Sequence, residues 1–194
     1  MFQEEPTARA DLKPGTLYAI AGEGGWIYYG QTTSEKNVGF FQHRDREPID
    51  PDTVLAAPVM SIITISYPSI TRALRAGRWK KLGRYPVADG LIEPRSTVQW
   101  SEGTLDVSVW IGNGPAWETR VDDSVIQEME LMAVWDAEHH LPARLTADFG
   151  AEEAEWHVGG PIRRERRIKE ERAARWPEQP WHQLPPDWVS TDIS

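Results

Sequence analysis

The sequence contains no cysteine, which excludes disulfides, thiol catalysis and Cys-ligated zinc or iron–sulfur centres. It has no hydrophobic run of membrane-spanning length, and residues 1–15 (MFQEEPTARADLKPG) lack the apolar core of a secretory signal. These absences lead us to expect a cytoplasmic protein with no membrane partner. The motifs that announce common catalytic sites are missing too: there is no Gly-x-x-x-x-Gly-Lys-Ser/Thr loop, no Gly-x-Ser-x-Gly elbow and no His-Glu-x-x-His pair. The expectation is of a chain that is not an enzyme, with no cofactor and no metal.

Positive charge is in short supply. Lys and Arg number 21 against 30 Asp and Glu, a formal net charge of -9 over 194 residues, and that suits a phosphate-backbone binder poorly. The signs run in blocks. Residues 96–160 hold thirteen acids with only Arg120 and Arg144 as bases. By contrast, 68–95 hold seven bases against Asp89 and Glu93, and 161–176 seven against Glu165, Glu170 and Glu171.

What the chain has in abundance is tryptophan, ten in all. Large aromatics serve small β-barrel cores and interaction surfaces alike. Thr16 to Ala21, Trp26 to Gln31 and Val38 to Gln42 read as short aromatic strands joined by glycine-bearing turns, and Val54 to Ser66 as an apolar run ending in a buried strand. Pro68 opens a short helix over 69–76 that Gly77 closes, and 79–83 reads as a connector. Strands resume at 97–100, at 105–111 with Leu105, Val107, Val109 and Ile111 alternating inward, and near Trp117. Asp123 and Ser124 are placed to cap a helical turn, and Leu141, Leu145 and Phe149 form one stripe of a further helix.

The expected fold is α+β and β-dominated: a small bent antiparallel sheet or SH3-like barrel with a few short helices, and a helical, Pro/Trp-rich C-terminal extension. Residues 1–11 read as a flexible N-terminus, 12–149 as the β-rich domain and 150–194 as a charged helix with an extended tail. Leu17, Ile20, Ile27, Phe40, Ile63, Val107 and Val109 are the expected core.

Chemistry-bearing clusters are few. Asp136-Ala137-Glu138-His139-His140 is the densest titratable group, but adjacent histidines point to different sides of any regular element, and an acidic helix cap accounts for it. The helix over 163–175 pairs Glu165 with Lys169, Arg166 with Glu170 and Arg167 with Glu171 at i,i+4, as a water-facing helix does. For the tail tryptophans two readings stay open, an anchor for a partner and a wrap on the chain's own domain. In the acidic block, Asp122, Asp123, Glu128 and Glu130 lie near Trp110 and Trp117 in sequence. Carboxylates rimming aromatics suit a surface that captures a basic protein.

Pro14-Gly15-Thr16-Leu17-Tyr18-Ala19-Ile20, then Trp26 to Gln31 with Tyr29-Gly30-Gln31, then Gly39-Phe40-Phe41, resembles the Immunity protein 26 family of bacterial polymorphic-toxin systems. Ala133-Val134-Trp135, the Glu138-His139 helix start and Arg144-Leu145 are similar to its closing segment. The resemblance spans residues 12–149, and its motifs are scaffold positions that bring no catalytic residues with them. It implies a cytoplasmic antidote that binds a cognate toxin domain and blocks it. With the acidic block, the expectation is a protein–protein inhibitor of a basic toxin such as a nuclease, through Trp110, Trp117, Asp122, Asp123, Glu128 and Glu130. The alternative is a β-barrel nucleic-acid-binding module using the basic blocks 68–95 and 161–176.

Overall fold

The computed structural model describes residues 1–150 and 159–191, and the fold is α+β. The chain packs as two compact units. One joins the residues up to Pro94 to a stretch that starts at Ala133 and ends before Gly159, and the other joins Arg95–Met132 to the stretch from Gly159. The change of composition near residue 150 therefore divides the sequence along a different line from the packing, which groups the charged helix and tail with residues 95–132.

In the first unit, a turn at Gly15, with φ +85°, leads into β1 (Thr16–Ala21), and β2 (Ile27–Thr32) and β3 (Val38–Asp45) follow as antiparallel neighbours. The expected apolar run from Val54 to Ser66 is interrupted. Asp50 caps a short helix α1 (Pro51–Leu55), accepting from the backbone N–H groups of Asp52 and Thr53, before β4 (Val59–Ile65) begins. Helix α2 (Tyr67–Arg75) ends at Gly77, where φ is +64°. Residues 79–83, read as a connector, lie within an edge strand, β5 (Trp79–Arg84), that buries Trp79 and turns lysines to solvent.

Register shifts interrupt the β1–β5, β2–β3 and β3–β4 pairings, and such bulges bend strands. The result is a curled half-barrel of six strands. Both faces are covered. Tyr18, Ile20, Tyr28, Phe40 and Ile63 pack on one side with residues of α2, while Leu17, Ala19, Tyr29 and Phe41 pack on the other with Val54 and Leu91. That double burial explains the near-continuous apolar reading of β1 and β2. Gly39 lies where a Cβ would sit 2.0 Å from Leu91 Cδ2, so the sheet closes on Leu91 only because position 39 has no side chain. Gln31, fully buried, donates to the carbonyls of Pro86 (2.8 Å) and Gly15 (3.3 Å) and accepts from Ala88 N–H (2.9 Å). Residues 1–11, read as flexible, make defined contacts: Phe2 N–H donates to Gly77 O, Ala10 N–H to Thr71 Oγ1, and the Tyr18 hydroxyl to Asp11 O.

The second unit starts with β6 (Ser96–Trp100), β7 (Asp106–Ile111) and β8 (Gly114–Arg120), a meander completed by the two-residue β9 (Glu130–Leu131) parallel to β6. Val107 and Val109 are buried as the alternation requires, but Ile111 is exposed, because the β7–β8 register shifts between Val109 and Trp110. All seven residues expected in the core are buried.

The chain then returns to the first unit as β10 (Val134–Trp135), parallel to β4, and as α3 (Leu141–Phe149). In α3, Arg144 has no exposed side-chain surface and donates to Asp148 at 2.9 Å, while Ser61 Oγ donates to the second Asp148 oxygen at 3.1 Å.

Back in the second unit, α4 (Ile162–Arg175) faces the tail. Trp100 and Trp188 stack at 5.9 Å, with Lys169 over the first ring and Arg166 over the second. Glu170 accepts from Trp188 Nε1 (2.8 Å), Thr191 N–H (2.9 Å) and Thr191 Oγ1 (2.5 Å). Burial alone would raise the Glu170 carboxyl, but the hydrogen bonds from Thr191 and Trp188 and the nearby Arg166 charge hold it below its ordinary value. Of the tail tryptophans, Trp188 is thus wrapped on its own unit while Trp181 is 69% exposed.

Two outcomes follow. Gly39→Ala should overpack against Leu91 and lower unfolding stability by about 1–3 kcal/mol, read by denaturant titration. Because the Glu170 carboxyl is depressed in the folded state, its contribution is complete above the unfolded value of 4.5 and fades as pH falls through the folded one. The Trp188 indole N–H resonance should therefore shift only below about that pH, and the acid transition should disappear in Glu170→Gln; a Trp188 transition unchanged in the variant would refute the assignment.

Candidate protein-binding face

All six residues singled out from the sequence lie in the second unit. β8 is the edge of the four-stranded sheet, and Pro115, Ala116, Trp117 and Glu118 are exposed in succession along it. The two tryptophans do not form one patch. Trp117 sits across from Val109 and Trp110 across from Pro115, on opposite faces of the sheet. Trp117 keeps 38% of its surface exposed, whereas the Trp110 indole nitrogen is buried without a hydrogen-bond partner. Trp110 is half-buried with its indole nitrogen turned away from solvent, and Trp117 is the more accessible of the two.

The carboxylates differ as well. Asp123 is the cap of the turn Ser124–Ile126: it accepts from Val125 N–H (2.9 Å) and Thr119 Oγ1 (2.7 Å), and these bonds, the backbone one foremost, hold its carboxyl below the ordinary aspartate value. Asp122 accepts from Arg120 Nε at 3.1 Å. Glu128 pairs with Arg163 of α4 at 3.1 Å, both side chains largely exposed, and such a pair contributes little. Glu130 lies on β9, half-buried, with its backbone bridged to Pro161. Trp117 lies within β8 and Asp122 and Asp123 in the turn that follows it, Asp123 tied back to the strand at Thr119, while Glu128 and Glu130 belong to the segment that returns to β9.

Two contributors were missed from the sequence. Glu118 is exposed on the edge strand itself; its alternation with Trp117 and Thr119 was the available signal. Gln127 donates to Val121 O (2.9 Å) and Asp123 O (2.6 Å), closing the acidic turn, and accepts from Arg166 Nη1 at 2.7 Å. No sequence pattern marks it, since its role comes from a helix far along the chain.

The other clusters are internally satisfied. Arg72 reaches Asp136 at 2.7 Å and Glu138 at 2.9 Å. Asp136 also caps the turn, accepting from Glu138 and His139 N–H. Asp136, Glu138 and His139 bring ligand atoms within 4.8 Å of one another, and the Arg72 guanidinium sits where a cation would be drawn. Within the basic block 68–95, Lys81 pairs with Asp11, and Arg78 donates to Glu138 O. Arg44 and Arg46 stack on Trp26 at 4.3 and 4.2 Å. Three acids of the block 96–160, Glu152, Glu153 and Glu155, lie outside the described residues. Among the described residues, no helix is long and apolar enough to cross a membrane.

The cap role of Asp123 separates it from its neighbours. Asp123→Asn should keep the turn and leave the melting temperature close to that of the parent, because Asn caps as well as Asp. Asp123→Lys should lower it, while Asp122→Lys should not; a thermal shift series reads all three, and equal shifts for the two lysine variants would remove the distinction.

No family model, no curated protein and no solved structure matches this chain, so the resemblance to Immunity protein 26 rests on the motif residues themselves.

Proposed function

We propose that this chain is an immunity protein that binds a basic toxin domain and neutralises it by occlusion, with the β8 edge and the acidic turn behind it as the binding face. The observation that carries the reading is the open edge: β8 is exposed along most of its length at the rim of its sheet, with Trp117 and Glu118 on it. Unpaired edge N–H and C=O groups offer a partner a strand to add to, and side chains along the strand supply selectivity. The surrounding charge gives the partner its sign, since residues 95–132 carry seven acids and two bases. A turn clipped by Gln127 holds its carboxylates in place before a partner arrives, which reduces the ordering cost of association. The protein acts in the cytoplasm as a stoichiometric inhibitor, not as an enzyme.

The test is surface-based binding kinetics at two salt concentrations, against purified basic toxin domains, including any encoded beside this gene, and against duplex DNA and RNA. Glu118→Lys combined with Asp122→Lys should slow association to the toxin several-fold and flatten its salt dependence, as rim charges act on the on-rate. Trp117→Ala should speed dissociation, by on the order of 2 kcal/mol if the ring anchors the interface. No affinity for the toxin domain, together with salt-dependent nucleic-acid binding lost in Lys80→Glu/Arg84→Glu, would overturn the proposal in favour of the basic-block reading.

A further inference from the structure

We infer that a second site in the same unit, a groove between the β6–β7 hairpin, α4 and the tail, binds a nucleoside phosphate, its base stacked on Trp181 and its phosphate held by Lys169 and Arg172. This inference is independent of the toxin-binding reading and uses none of its residues.

The groove has a volume of about 350 Å³ and is lined by Trp100, Glu102, Lys169, Arg172, Trp181 and His182 among others. That volume lies in the range of small-ligand pockets, which run from roughly 300 to 1,000 Å³. Charge is the first argument. On α4, Arg163 pairs with Glu128 and Arg167 with Glu171. Lys169 and Arg172, the two cations that line the groove, have no carboxylate partner among the described residues. Lys169 instead lies 4.9 Å from the Trp100 ring centre, although Glu165 stands four residues before it. The two are three residues apart on the helix and so share a face, where one anion can engage both.

The aromatic surface is the second argument. Trp176 stacks on His182 at 5.1 Å, and Trp181 meets the same imidazole edge-on at 6.2 Å. The Trp181 ring is therefore held at the groove while remaining 69% exposed. An indole face beside two cations fits a planar base carrying a phosphate, since bases of any identity stack on aromatic rings and cations hold the backbone. An acidic peptide would use the cations and leave the ring idle. Glu102, exposed on the hairpin side, offers an acceptor for ribose hydroxyls or base amino groups.

The experiment titrates the full chain by calorimetry and by NMR of the indole N–H groups, with adenosine monophosphate, adenosine, inorganic phosphate, a single-stranded oligoadenylate and a poly-glutamate peptide. Adenosine monophosphate should bind and shift the Trp181 resonance, with adenosine and phosphate each at least tenfold weaker. Trp181→Ala and Arg172→Ala should each weaken the nucleotide at least tenfold, Arg172→Ala also reducing its salt dependence, while toxin association stays as in the parent. An oligoadenylate that binds tighter than the mononucleotide identifies a strand as the source, and equal affinity identifies the free nucleotide. Binding of neither nucleotide form, phosphate binding as well as the nucleotide, a nucleotide affinity untouched by Trp181→Ala, or a peptide that displaces it at equal affinity would each overturn the assignment.

Discussion

The guanidinium of Arg166 ties together three parts of the second unit that are remote in sequence. Only 6% of this residue is exposed. One nitrogen donates to Gln127 Oε1 in the acidic turn and another to Val189 O in the tail, both at 2.7 Å, while the carbon of the group lies over Trp188. A buried charge left with fewer partners costs several kcal/mol, so the turn, the helix and the tail hold one another in place. Charge reversal at Arg166 would accordingly disturb the unit as a whole, and the cation of α4 that reports on binding without that disturbance is Arg172. The rigidity of the acidic turn, on which the proposed binding face depends, is a consequence of this junction rather than of the turn's own sequence.

The same junction explains what the sequence conceals. A helix with no apolar stripe reads as solvated, and Arg167–Glu171 does pair as i,i+4 spacing predicts. Yet Ile162, Arg166 and Glu170 face inward, with Lys169 at the groove's edge over Trp100, because Trp188 accepts a cation and Glu170 accepts three hydrogen bonds. Periodicity counts apolar residues and misses a stripe built from stacking and charge. Elsewhere local signals were sufficient. Short aromatic strands, the Gly77 stop and the Asp123 cap were all legible, since each depends on neighbours within a few residues. The α1 cap, Asp50 before Pro51, was equally local and was overlooked beneath a run of apolar residues. β5 was hidden for the opposite reason, as an edge strand with one buried residue has no hydrophobic alternation to show.

Of the candidate face, the sequence supplied the acidic block and the aromatics but not their division of labour. Which side of a sheet a tryptophan faces depends on register, and the shift between Val109 and Trp110 is invisible along the chain. The motif residues behind the family resemblance fall in the first unit, where Gln31, Gly39 and Arg144 are all structural: a satisfied amide, a close approach to Leu91 and a buried ion pair. They account for the packing of the first unit, and the proposed binding face is left to residues 95–132.

The central claim is that a protein partner is received on the edge of the second sheet. Hydrogen exchange of the full chain, alone and mixed with a basic toxin domain that it binds, reads that directly. The account predicts new amide protection confined to residues 114–128, strongest along β8, with the first unit unchanged. Protection concentrated on the half-barrel, or none at β8 in a complex that forms, would contradict it.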